Sequence, residues 1–137
     1  MSRIALLDPL MDKILADFPT EFGSRASSRQ PSPDQVAAGD FLWAYSMDAN
    51  ATKTDHNGTF DIHILSFRDY SAVQDTALLV EEMLLGYPIR MSTGDKVVVI
   101  DRVDVDSAMA EVPWDADSRV TRFTGTYTLA SRARHRS

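Results

Sequence analysis

Residues 59–88 read TFDIHILSFRDYSAVQDTALLVEEMLLGYP, and this stretch decides the fold. In its first part the apolar residues occupy alternate positions, as they do in a half-buried strand: Phe60, Ile62 and Ile64. In its second part they recur at helical spacing, on one side of a helix: Val73, Ala77, Val80 and Leu84. A strand that runs into an amphipathic helix predicts a sheet covered by that helix.

The ends of this helix are marked in the sequence. Ser71 and Gln74 form a capping box at its start, and Gly86 followed by Pro88 ends it, so we expect a helix over residues 72–85. Further apolar residues widen its stripe: Leu78, Leu79, Met83 and Leu85. A stripe of this width predicts contact on more than one side, and Leu79 and Met83 are therefore candidate subunit-interface residues.

An earlier amphipathic helix is expected over residues 9–18. Asp8 is placed as its N-cap, Pro9 as its first residue, and Pro19 as the residue that ends it. Residues 19–40 then show no apolar period, and Ser, Gly, Pro and Arg dominate the middle of this segment. A segment of this kind predicts a long mobile loop that could become ordered on assembly.

A hairpin is expected on the N-terminal side of the second helix. Residues 41–47 alternate as a strand with an aromatic face, which would pair with residues 59–67. Asn57-Gly58 is a strong turn signal at the end of a long polar tip. Because the apolar face then changes to Leu65 and Phe67, a bulge is expected near residue 65.

Two more strands follow the second helix, over residues 96–106 and 119–129, and the basic tail 131–137 is expected to be flexible. The length of 137 residues is typical of a single domain, 1–137. We therefore predict an α+β fold in the order α-β-β-α-β-β. Its antiparallel-rich, four-stranded sheet would carry two helices packed on one face.

Composition excludes several classes of function. The chain has no cysteine, which rules out disulfides, thiolate nucleophiles and cysteine metal sites. Its net charge of −6 is unfavourable for a DNA-coating protein, although it suits a channel through which DNA slides. The apolar runs are too short for a membrane span, and Asp8 comes too early for a signal peptide. We expect a protein of the cytoplasm or of a virion.

No catalytic or metal-binding motif is present. The three histidines lack metal-ligand spacing, and no phosphate-binding or nucleophile motif occurs. Asp104 and Asp106 share a strand face, but two carboxylates are too few oxygens for Ca²⁺, and Met109 replaces the glycine of a calcium loop. The sequence therefore predicts no enzyme, no metal and no cofactor.

Two other groups of residues are candidates for docking. Arginines cluster in the long loop, at Arg25 and Arg29, and in the tail, at Arg132 and Arg134, where they suit an acidic partner. Three threonines would leave one sheet face flat and uncharged, either as plain surface or as a self-association surface: Thr124, Thr126 and Thr128.

The layout as a whole resembles the tail terminator (tail-completion) proteins of long-tailed bacteriophages. The resemblance lies in four parts of the chain: the helix PLMDKILADF, the strand FDIHILSF, the helix SAVQDTALLVEEMLLG and the closing strand SRVTRFTGTYTLASR. It is a likeness of arrangement, because these proteins carry no invariant motif and no catalytic residues to transfer.

The resemblance implies a virion structural protein at the tail–neck junction, assembled in the host cytoplasm. Such proteins form a ring, typically a hexamer, that caps the tail tube, stops its polymerisation and offers a surface to the head. The implied partners are further copies of itself, the tail tube protein and the head–neck connector protein, with DNA only as passing cargo and no membrane.

Two alternatives remain open. The first is a head-closure or neck adaptor protein. The second is a small-ligand-binding α+β domain whose pocket is lined by Phe41, Trp43 and Tyr45, although such rings more often fill a core.

Overall fold

The computed structural model describes residues 6–47, 56–93 and 96–131. Within these ranges the chain forms four helices and six strands. Their order is α1 (Leu7–Asp17), α2 (Pro19–Phe22), β1 (Ala26–Ser27), α3 (Pro33–Ala37), β2 (Phe41–Ser46), β3 (His56–Ser66), α4 (Tyr70–Leu85), β4 (Ile89–Thr93), β5 (Lys96–Glu111) and β6 (Thr121–Ser131).

The strands form one curled, mixed sheet in the order β1-β2-β3-β6-β5-β4. All neighbouring strands are antiparallel except β1 and β2, which are parallel. The predicted four-stranded antiparallel sheet in the order α-β-β-α-β-β is therefore wrong. The missed strand β1 is two residues long, which is too short to show the alternation by which strands are recognised. The missed strand β4 does alternate, with apolar Ile89 and Met91 against Arg90 and Ser92, but its five residues give only a short signal.

The inner face of the sheet, defined here as the face toward α1 and α4, carries the main core. Helix α1 contributes Leu10 and Ile14, and α4 contributes its predicted apolar side. The strand residues beneath them include Ile62, Ile64 and Leu129. Both long helices thus lie on the same side of the sheet, and each buries one stripe of side chains there.

Among the described residues, the outer face, on the opposite side, is covered at one end only. Helix α3 and residues 112–120 cover it there, and Val36, Trp114 and Val120 pack on Phe41 and Leu65. The predicted bulge near residue 65 is wrong, because β3 pairs with β6 in continuous register from His56 to Ser66. Leu65 is apolar because both faces of β3 are buried at this end. The register shifts lie in β5 instead.

The predicted turn at Asn57-Gly58 is also wrong, since both residues lie in β3 opposite Ala130 and Leu129. The polar tip of the hairpin lies outside the described residues. Gly58 is needed for space, because a Cβ there would come within 2.7 Å of the ring of Phe60. The glycine therefore marks close packing inside a strand. In the sequence alone, an Asn-Gly pair of this kind cannot be told from a turn.

Both predicted helix caps are displaced. Helix α1 begins at Leu7, so Asp8 lies inside its first turn, because Leu6 and Leu10 are drawn into the core. Helix α4 begins at Tyr70, and its N-cap is Asp69, whose carboxylate accepts a hydrogen bond from the Ala72 N–H at 3.1 Å. The predicted end at Leu85, followed by Gly86, is confirmed.

A network around buried Asp40 holds several element ends together. The carboxylate accepts hydrogen bonds from the Ser66 hydroxyl at 2.6 Å and from the guanidinium of Arg68. Arg68 also donates to Thr76 of α4 at 3.2 Å. Arg25 donates to the main-chain carbonyl of Asp40 at 2.9 Å, which ties the 19–40 segment to the sheet. This segment, predicted as a loop, contains α2, β1 and α3.

A second network fixes α4 on the sheet. Glu81 accepts hydrogen bonds from the Tyr127 hydroxyl at 2.5 Å and from the Met109 main-chain N–H at 2.9 Å. Burial, together with the Glu81 carboxylate, raises the pKa of Tyr127 far above its usual value. Gly125 leaves room for this side chain, because a Cβ there would lie 2.5 Å from the Tyr127 hydroxyl oxygen.

Replacing Gly125 by alanine is expected to lower the free energy of unfolding by about 1–3 kcal/mol. The added methyl group pushes Tyr127 away from Glu81 and weakens their hydrogen bond. Gly86→Ala is the matched control, because the backbone there has a φ of −86° and the nearest atoms to an added Cβ are 3.5 Å away. Urea unfolding followed by tryptophan fluorescence measures both variants, and equal losses would contradict this role of Gly125.

Candidate assembly interface

The outward side of α4 exposes an apolar surface. Leu78 and Leu79 are each 48% exposed and Leu85 is 42% exposed. Together with Asp75, Glu81 and Glu82 they line a shallow depression along the helix. We call five of these residues the α4 stripe: Asp75, Leu78, Leu79, Glu82 and Leu85. Large apolar side chains grouped on one exposed helix face mark an interaction surface more often than plain solvent-facing surface.

Helical spacing explains why the stripe faces outward. Leu78, Glu82 and Leu85 follow one another at steps of four and three, which keeps them on one side of a helix. The opposite side holds the fully buried residues of α4: Val73, Ala77, Val80 and Leu84. The helix is therefore apolar on two sides, of which the sheet covers one.

The two residues predicted on this helix occupy different places. Leu79 belongs to the α4 stripe. Met83 is partly buried and packs against the main core. Met83 lies about 40° around the helix from Leu79 and about 100° from Glu82, which places it nearer to the sheet than either of them.

The predicted threonine ladder lies on the outer face, where each of its three side chains is partly exposed. The hydroxyl of Thr126 donates to Asp61 at 2.5 Å. The hydroxyl of Thr128 donates to Asp106 at 2.7 Å and shares a hydrogen bond with Thr59 at 2.9 Å. Two of the three hydroxyls thus bind side chains of their own sheet, whereas Thr124 lies beside His63 in the register.

The structure describes two of the four predicted basic residues. Arg25 donates to the carbonyls of Asp40 and Glu21, at 2.9 and 3.0 Å, and so fastens its own chain. Arg29 is exposed. Arg132 and Arg134 lie outside the described residues. None of the arginines placed by the structure is among the residues of the α4 stripe.

An aromatic cluster on the outer face escaped sequence analysis. The ring of His63 stacks on Trp43, at a centroid distance of 4.3 Å, and on Tyr45, at 5.4 Å. The Tyr45 hydroxyl donates to Asp61 at 2.9 Å. Alternate positions 43, 45, 61 and 63 could have indicated the cluster, but only if the pairing of the two strands had been known.

His63 is only 5% exposed, and within the described ranges neither of its ring nitrogens has a hydrogen-bond partner. The pKa of His63 is lowered to about 4, mainly by burial and also by the charge of Arg122, while the Asp61 carboxylate acts in the opposite direction. The side chain is therefore neutral at pH 7, and the cluster acts as an apolar patch with one carboxylate at its border.

Among the described residues no group of three acidic or histidine side chains could hold a metal ion. No helix in the same ranges has both the length and the apolar character needed to cross a membrane.

The pKa of His63 predicts a pH dependence of stability. Its folded-state pKa, about 4, lies below the ordinary value of 6.5, so the unfolded chain binds the proton more strongly. Stability is therefore lost as the pH falls from 6.5 toward 4, by about 1–2 kcal/mol after solvent screening. His63→Phe keeps a stacking ring and should reduce this slope in unfolding curves measured at several pH values.

Tyr45→Phe is the matched control for that experiment. It removes the hydroxyl bound to Asp61 and leaves His63 in place, so the slope of the unmodified protein should persist. An undiminished slope in His63→Phe would show that other groups cause the acid sensitivity.

Comparison with known proteins relates the fold to a virion component. A chain from a solved structure, described as "Virion of native gene transfer agent (GTA) particle", is 14% identical with a TM-score of 0.64, over 94% of this chain and 96% of that chain. A second solved chain, 18% identical over 90% of this chain and 93% of its own, has a TM-score of 0.47, too low to carry an argument. No protein-family model matches the sequence. No curated protein matches it significantly. At this level of identity the first comparison shows a shared fold.

Proposed function

We propose that the protein is a virion structural protein of a phage-like particle, and specifically a ring-forming tail terminator. It would cap the tail tube, stop its polymerisation and provide the surface to which the head attaches. The observation that carries the proposal is the fold shared, over nearly the whole chain, with a component of a gene transfer agent virion.

The α4 stripe supports assembly from several copies. Three leucines are exposed on one helix face with two carboxylates around them. In a monomer this surface stays in water, whereas a neighbouring copy would remove it from water at about 25 cal/mol for each Å² buried. A ring, which the family resemblance implies to be a hexamer, requires such a surface on every subunit.

The charge of the chain supports a position on the path of DNA. A net charge of −6 disfavours tight binding to the phosphates of DNA, so DNA could pass through the lumen of a ring without being held. The partners in this proposal are other copies, the tail tube protein and the head–neck connector protein. The place of action is the tail–neck junction of the virion, after assembly in the host cytoplasm.

A neck adaptor is the nearest alternative, because it would use the same fold and surface at the head side of the junction. A small-ligand-binding domain is the other. The three rings that would line its pocket already contact other side chains. Trp43 and Tyr45 stack on His63, and Phe41 is buried in the outer-face cluster. A shift in melting temperature with a metabolite panel would favour the ligand-binding alternative.

Growth of tail tubes tests the proposal. The tube protein of the same particle is polymerised alone or with this protein, and tube lengths are measured in negative-stain images. We expect shorter tubes with extra density at one end. Leu79→Glu should lose this effect, because it places a charge in the α4 stripe. Met47→Glu is the control, since Met47 is 54% exposed and lies outside the stripe.

The outcomes separate the candidates. Binding to tube ends without a change in length would favour an adaptor. Unchanged growth with no bound density would contradict the terminator proposal.

A further inference from the structure

A ring needs two different surfaces on each subunit, one for the neighbour on either side. The α4 stripe supplies one of them. The second should match it in shape and charge: apolar at its centre, with basic groups where the stripe has Asp75 and Glu82.

The hairpin formed by β4 and β5 carries such a surface. Its inner-face residues are buried: Ile89, Met91, Val98 and Ile100. On its outer face Val97 is 59% exposed, Val99 is partly exposed, and Arg90 lies directly opposite Val99. Arg102, opposite Ala130, extends the same face with an exposed guanidinium whose Nε donates to Asp104 at 3.1 Å.

We call Arg90, Val97, Val99 and Arg102 the hairpin surface. Val97 is thus an apolar side chain on a sheet face that no described part of the chain covers. The two arginines flank it as the two carboxylates flank the leucines of the α4 stripe.

The geometry favours contact between unlike surfaces. Two α4 stripes packed on one another would bring the carboxylates of Asp75 and Glu82 close to their own copies, which is unfavourable. The α4 stripe lies on the inner-face side of the sheet and the hairpin surface on the outer-face side. Copies joined through them therefore stack front to back, an arrangement that continues in one direction and forms a ring where the rotation between successive copies closes it.

We propose that the α4 stripe of one copy docks on the hairpin surface of the next copy, head to tail. Leu78, Leu79 and Leu85 cover Val97 and Val99, and Glu82 lies near Arg90. This inference rests on the proposed function in one respect, namely that the chain associates with itself in a ring.

Two variants test whether the contact joins the α4 stripe of one copy to the hairpin surface of the next. Neither variant should self-associate alone. Leu79→Glu disables the α4 stripe, and Val97→Glu disables the hairpin surface. Both side chains are exposed, so melting temperatures should stay close to that of the unmodified protein. Each variant alone should be monomeric by light scattering and native mass spectrometry.

An equimolar mixture should form a complex of two chains, one of each variant. In this pair the intact stripe of the Val97→Glu chain binds the intact hairpin surface of the Leu79→Glu chain, and no further copy can add. Met47→Glu is the matched control and should assemble as the unmodified protein does.

Charge reversal provides a second, independent test. Glu82→Arg and Arg90→Glu should each weaken self-association by about tenfold, and the double variant should restore it.

Self-association that persists in Val97→Glu, or a mixture that stays monomeric, overturns the inference while leaving ring formation standing. An unmodified chain that remains monomeric at about 1 mM overturns the inference as well. The tube-growth experiment then decides the terminator function separately.

Discussion

The position of α4 on the sheet depends on the partly buried carboxylate of Glu81. It accepts one hydrogen bond from Tyr127 of β6 and one from the main chain of β5 at Met109, so it sets the rotation of the helix as well as its place. A helix turns by about 100° for each residue, so a slip of one position would turn either Leu78 or Leu79, depending on its direction, away from the outward side. The α4 stripe exists as a coherent surface because this anchor holds, and Gly125 leaves the space that Tyr127 needs.

The two faces of the sheet have different uses. The inner face is filled by α1 and α4, whereas the part of the chain that the structure describes covers the outer face only at the end where α3 and Trp114 pack. The open part of the outer face holds the His63 cluster and threonines whose hydroxyls bind neighbouring side chains. Those hydrogen bonds would have to be exchanged before another chain could use the same groups. The leucines of the α4 stripe have no hydrogen bonds to exchange before another chain can pack on them, which makes them the stronger candidates for a subunit interface.

Sequence patterns predicted α4 well, because Val73, Ala77, Val80 and Leu84 repeat strongly and Gly86 marks the end. They failed where tertiary packing decided the structure. Asn57-Gly58 was predicted as a turn, but Gly58 makes room for a ring inside β3. Strand β4 was missed although Ile89 and Met91 alternate with polar residues and Gly94-Asp95 between two apolar runs could have indicated a hairpin, because the signal covers only five residues. Without β4 the hairpin surface could not be predicted, because it depends on the pairing of β4 with β5. Of the predicted site residues, Leu79 lies in the α4 stripe and Met83 packs toward the core.

The most direct test of self-assembly through the α4 stripe is the solution mass of the unmodified protein. Light scattering across a concentration series should be paired with negative-stain images of the same samples. We predict closed rings with a central hole, whose mass is a whole multiple of 15.2 kDa. A monomer at every concentration, or a two-fold dimer that does not grow further, would contradict the claim that neighbouring copies cover this helix.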